Sequence, residues 1–189
     1  MRLHFCILAK EGGIISNSII NFKERKEAIL ERRHFIENYK KEKSKIEIKK
    51  ELMPLVLESL KSEIETLKQT YVDLEDDQFH LNKDFSKDDV LKSIIEDIDF
   101  YKTTLQNLST LYEDTTKDSY IIMLDFDGLE KFSMAVDPIY LQEYIFDSND
   151  EKAESKLIEN YNDLSDFFNL INDLYWQRLK VINPKIKRK

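Results

Sequence analysis

A single cysteine, Cys6, leaves the chain without an intramolecular disulfide or a cysteine-built metal site. It lies in an apolar segment, where a lone thiol behaves as a small buried hydrophobe. His4 shares its strand face, but no third, orienting group completes a nucleophile. Three glycines and three prolines in 189 residues supply too few turn residues for a barrel, which favours a few long helices over many short strands. Alanine is confined to Ala9, Ala28, Ala135 and Ala153, while Ile, Lys and Asn abound. That bias reads as A+T-rich coding, and so as a bacterium of low G+C content or one of its phages. Long apolar runs are missing as well. Leu3 to Ala9 is too short for a signal peptide and is broken by Lys10, Glu11 and Gly12-Gly13. No stretch approaches the roughly 18 apolar residues of a membrane span. The expected location is the cytoplasm.

What is abundant is charge, at 35% of residues, beside a hydrophobic share of 41% that suffices for a core. The net charge of −8 conceals blocks. Residues 1–52 hold 13 Lys and Arg against 8 Asp and Glu, residues 53–179 hold 11 against 29, and residues 180–189 hold five basic groups and no acid. The central acidic block can pack against the basic first helix, or it can meet a basic partner.

The residue pattern predicts the elements in turn. Residues 2–9 read as a buried strand, and Ile14 to Ile20 as an apolar stretch of uncertain type. From about Asn21 to Lys45, Ile29, Phe35, Ile36 and Tyr39 recur at helical spacing. Ile46 and Ile48 alternate like a strand within Ser44 to Lys50. Pro54 fits only the first turn of a new helix. There Met53, Leu60, Leu67 and Leu74 repeat every seven residues, with Leu57, Ile64 and Tyr71 between them. A second seam follows the N-cap candidate Ser86, with Asp88 and Asp89 in the first turn: Leu91, Ile98, Leu105 and Tyr112, interleaved with Ile94, Tyr101 and Leu108. A third starts near Ser148, with Glu151 forming a capping box, and runs through Leu157, Tyr161, Leu164, Phe168, Ile171 and Tyr175 until Asn183-Pro184 stops it. Between the last two helices, β-rich runs flank Asp127-Gly128, the signature of a type I′ hairpin over 119–136.

Several short motifs carry chemistry elsewhere. Ile121-Ile-Met-Leu-Asp125-Phe-Asp127-Gly128 resembles the first motif of haloacid-dehalogenase-like phosphatases. That resemblance implies a nucleophile and an acid/base group at the two aspartates. It covers about eight residues, with Leu129 where Thr or Val is usual and 61 residues left for the rest of such a fold, so the hairpin reading is preferred. Glu31-x-x-His34 has di-iron spacing without a second copy, and Asp77-x-x-His80 imitates it in a loop. Glu47-x-Lys49 imitates half of a restriction-nuclease site but lacks the acid of a preceding strand. No phosphate-binding loop, dinucleotide turn, nucleophile elbow or zincin motif occurs.

The expectation is an α+β protein, mostly α, built as one domain over 1–189. About four long amphipathic helices form a bundle, with a small antiparallel sheet made by strand 2–9 and the 119–136 hairpin. A helical arm over 22–75 and a basic tail over 183–189 complete it. The expected function is non-catalytic protein binding without a cofactor or metal, as a small acidic inhibitor or immunity-type protein that covers a basic effector. Asp125, Asp127, Glu130 and Trp176 are the candidate partner-binding residues. Alternatives are a homo-oligomeric scaffold whose seams pair between copies, and nucleic-acid binding through Arg25, Lys26, Arg32 and Arg33.

Overall fold

The computed structural model describes residues 14–76, 86–139, 141 and 151–187. It is α+β and mostly helical, and the chain divides into two compact units, residues 1–40 and 41–189. Helix α1, Ile14–Lys41, supplies the described part of the first unit. Its side chains from Glu24 to Phe35 all face solvent, Ile29, Leu30 and Phe35 included. The predicted strand 2–9 lies outside the described residues, as do Cys6, His4, His80 and most of 139–146.

The second unit is built from strand β1, Ser44–Lys49; helices α2, Met53–Glu75, and α3, Lys87–Tyr112; strand β2, Ser119–Leu124; and helices α4, Phe126–Ala135, and α5, Glu151–Ile182. Pro54 occupies the first turn of α2, where its missing N–H costs nothing. Ser86 caps α3 through its carbonyl, which accepts the Val90 N–H at 3.1 Å; its hydroxyl makes no capping bond. Asn183 follows the last residue of α5, as its pairing with Pro184 predicts. The expected capping residue Ser148 is outside the described residues.

The heptad seams are buried or half-buried within this unit. Met53, Leu60 and Ile64 of α2 meet Tyr101 and Leu108 of α3, while Leu164 and Ile171 of α5 close the same core. Toward the far ends of α2 and α3 a smaller cluster forms from Leu74, Ile94 and Ile98. Ser59 falls in the packed face beside the seam and donates its hydroxyl to the Ala135 carbonyl at 2.6 Å, so a buried polar group is satisfied.

The expected hairpin is absent. β2 pairs antiparallel with β1, with Ile46 opposite Ile122 and Ile48 opposite Tyr120, and residues 126–135 are helical. Two features of the sequence outweigh its β propensity. Phe126, Leu129, Phe132, Ser133 and Val136 are all buried, a helical rather than an alternating period. Asp125 is an N-cap whose carboxylate accepts the Gly128 N–H at 2.9 Å, and Asp127 sits in the first turn, where the helix dipole favours it. Gly128 is buried and does not take the positive φ that a type I′ turn requires. A Cβ there would approach the Phe100 ring to 3.3 Å, so the small residue answers a close approach rather than a turn.

The helical assignment is testable at its cap. Asp125→Ala is expected to lower unfolding free energy by about 1 kcal/mol in urea titrations, with Asp125→Asn recovering most of the loss. Leu129→Ala should cost about 3 kcal/mol, because Leu129 is fully enclosed. A neutral Asp125→Ala would show that this carboxylate does not cap α4.

Candidate functional site

Three of the four predicted partner-binding residues converge, although not on a hairpin. Glu130 projects from α4 and accepts the Tyr175 hydroxyl of α5 at 2.6 Å. Tyr175 stacks on Phe126 with ring centres 5.3 Å apart, and Trp176 meets it edge-on at 6.2 Å, half-buried. Asp127 is exposed one turn before Glu130 and helps raise the Tyr175 hydroxyl above its ordinary value. The leading causes of that rise are burial and the hydrogen bond to Glu130. Asp125 is drawn away from the group by its capping bond. The carboxylates therefore do not oppose one another across strands.

Behind this cluster, Arg178 is buried at 6% exposure and donates to the Glu42 carbonyl at 2.6 Å and the Ser44 hydroxyl at 2.9 Å. Its guanidinium lies 6.0 Å from the centre of the Phe126 ring. The arrangement fixes α5 against the start of β1 and anchors the aromatic stack. It pairs no nucleophile with a base.

A second titratable group sits where α2, α3 and α4 meet. Lys131 pairs with Asp97 at 2.6 Å, and Tyr101 donates to the Lys131 carbonyl at 3.0 Å. Burial, then the neighbouring Asp97, pushes the Glu63 carboxyl up. Burial does the same to the Tyr101 hydroxyl, with Glu63 and Asp97 adding to it.

A separate concavity lies elsewhere, on the side of β1 away from β2. Between β1 and α5 lies a groove of about 500 Å³ lined by Glu47, Lys49, Glu51, Leu52, Asp163, Asp166, Phe167 and Leu170. Phe167 is buried at its floor and Leu170 is 61% exposed at its rim. Four carboxylates face one ammonium. Glu47 is engaged by the Ser119 hydroxyl at 2.6 Å, whereas Glu51, Asp163 and Asp166 have no cationic partner among the described residues. Glu47 and Lys49 do share a strand face, as the nuclease-like spacing suggests. Yet among the described residues no three His, Cys, Asp or Glu side chains converge closely enough to hold a metal ion.

The basic candidates Arg25, Lys26, Arg32 and Arg33 are all exposed on α1. They fall two turns apart in pairs and form one stripe. The Arg32 guanidinium lies 5.1 Å from the Phe35 ring centre. His34 is exposed and sits 3.2 Å from the Asn38 side-chain amide, and it belongs to no group of three possible metal ligands among the described residues. Compared with models of protein families, with curated proteins and with solved structures, the chain matches none. No helix among the described residues is long and apolar enough to cross a membrane.

Sequence reasoning missed the groove. Its one-sided signal was Leu170, an apolar residue off the α5 seam, next to Phe167 and close to Asp163 and Asp166.

The raised tyrosines give a pH expectation. For a phenol whose folded value exceeds its unfolded one, the stability contribution is complete below the ordinary value of 10.0 and is lost as pH rises beyond it. Unfolding free energy should therefore decline above that pH. Tyr101→Phe and Tyr175→Phe should each flatten the decline, with tyrosinate absorbance appearing late in the parent protein. An unchanged alkaline limb in both variants would show that these hydroxyls are not held protonated.

Proposed function

We propose that this chain is a non-catalytic protein-binding module that seats a basic, amphipathic segment of a partner protein in the groove between β1 and α5. One observation carries the reading: Glu51, Asp163 and Asp166 have no cationic partner among the described residues and surround an apolar strip of Leu52, Phe167 and Leu170. Lys or Arg side chains of an incoming segment would neutralise the walls, and its apolar residues would cover the strip. Charge of this kind speeds encounter and selects the partner's sign, while the apolar floor supplies the contact area. A small acidic inhibitor or immunity-type protein that covers a basic effector is the specific form of this reading, in keeping with the acid excess of residues 53–179. The aromatic and carboxylate cluster of Asp127, Glu130, Tyr175 and Trp176 offers a second contact on α4 and α5.

A rival reading, nucleic-acid binding by the α1 stripe, is favoured by the exposure of Arg25, Lys26, Arg32 and Arg33 on one helix. The two separate by charge. A fluorescent peptide of alternating Lys and Leu should bind the protein, and Asp163→Asn with Asp166→Asn should weaken it about tenfold. Raising salt should weaken binding further, because exposed charges are screened. Binding unmoved by both changes would sink the groove. A duplex oligonucleotide that binds more tightly than the peptide, and is lost with Arg32→Ala and Arg33→Ala, would favour the stripe.

A further inference from the structure

Among the described residues β2 has a single strand partner, β1. The Lys50 N–H donates to the Asp118 carbonyl directly opposite at 2.9 Å, and bonded pairs in an antiparallel ladder recur at every second residue. The bonds to β1 therefore fall at Tyr120, Ile122 and Leu124. The main-chain groups of Ser119, Ile121 and Met123 point to the opposite edge, where no described residue bonds to them. Ile121 and Met123 are also 48% and 50% exposed on the outer face. Natural sheets protect such edges with charge, proline or cover. The outward positions of β1 carry Lys45, Glu47 and Lys49, but Ser119 to Leu124 contains no charge and no proline. Beside this edge a groove of about 230 Å³ runs against Thr104, Asn107 and Leu111 of α3.

The geometry points to a second copy of this chain as the occupant. β2 pairs antiparallel with its equivalent about a two-fold axis at Ile121, giving a continuous four-stranded sheet in the order β1, β2, β2, β1. Three observations select this partner. Centring on Ile121 sets Ser119 opposite Met123 of the second copy, so the outward main-chain groups of all three residues meet. The same register brings Lys117 of each copy, which also pairs with its own Asp114 at 3.3 Å, opposite the capping Asp125 of the other, two meetings of opposite charge just beyond the strand ends. The edge is uncharged in a molecule of net charge −8, so two copies approach there without opposing carboxylates. The groove between β1 and α5 lies on the other side of the sheet, and the pairing stands or falls independently of what that groove binds.

The test is the molar mass of the full chain by sedimentation equilibrium over about a hundredfold range of concentration. A reversible doubling of mass is expected. Ile121→Lys sets two charges together on the axis, and Ile121→Pro removes only an N–H aimed away from β1. Each should raise the dimer dissociation constant at least about tenfold while circular dichroism and melting stay near the parent's. Lys117→Glu faces Asp125 of the second copy with a like charge and should weaken the dimer less as salt is added. With Cys6 replaced by Ser, Ile121→Cys should cross-link between copies through a short bis-maleimide, and Glu47→Cys should not. A monomer throughout the range overturns the proposal. So does a dimer indifferent to Ile121→Lys and Lys117→Glu, or one cross-linked from position 47 rather than 121.

Discussion

The second unit depends on the pairing of two six-residue strands that stand far apart in the chain; the bond between Glu47 and Ser119 spans 72 residues. Neither strand is stable alone, and two strands form a marginal sheet unless a face is covered. Ile46, Ile48 and Tyr120 supply that face, and each is at most 2% exposed. The intervening α2 and α3 fold back as a helical hairpin, so closing the long loop is offset by the core these same helices bury. Because the described sheet has two strands, each has one edge without a strand partner among the described residues. β1 has its edge beside α5, where the acidic groove lies. β2 has its edge beside α3, where the second copy is placed.

The legible part of the sequence was the part in which one rhythm persists. Three heptads of α2 and of α3 predicted which side chains are enclosed, and Met53, Leu60, Ile64, Ile98 and Leu108 are. Pro54 and Asn183 marked helix ends because proline and the residue before it restrict the backbone wherever they occur. Residues 119–136 misled because a strand and a helix adjoin with only Asp125 between them. Asp-Gly is a turn signal in isolation, but here the aspartate before it caps a helix whose buried face recurs at Phe126, Leu129 and Phe132. Tertiary burial overrode local β propensity. Strand β1 was ambiguous for a simpler reason: two alternating isoleucines are too few to fix a period.

The sites were less legible than the fold. The α4 carboxylates were singled out for the wrong geometry, yet the structure joins Glu130 to Trp176 through Tyr175. The groove could not be read, since its walls come from Glu47 to Leu52 and from Asp163 to Leu170, segments that only the folded sheet brings together. Each acid in it looks like an ordinary solvated side chain when its helix is considered alone.

The division of the core into two clusters has a dynamic corollary. Leu74, Ile94 and Ile98 sit in a pocket of packing distinct from the large cluster beneath the sheet, linked to it chiefly through Leu67. Local opening free energy follows the apolar contacts that must be broken. The outer turns of the helical hairpin can thus unzip and re-form on their own, exchanging amide protons early, while the strands stay paired. Evolution is free to lengthen or shorten that tip without retuning either edge of the sheet.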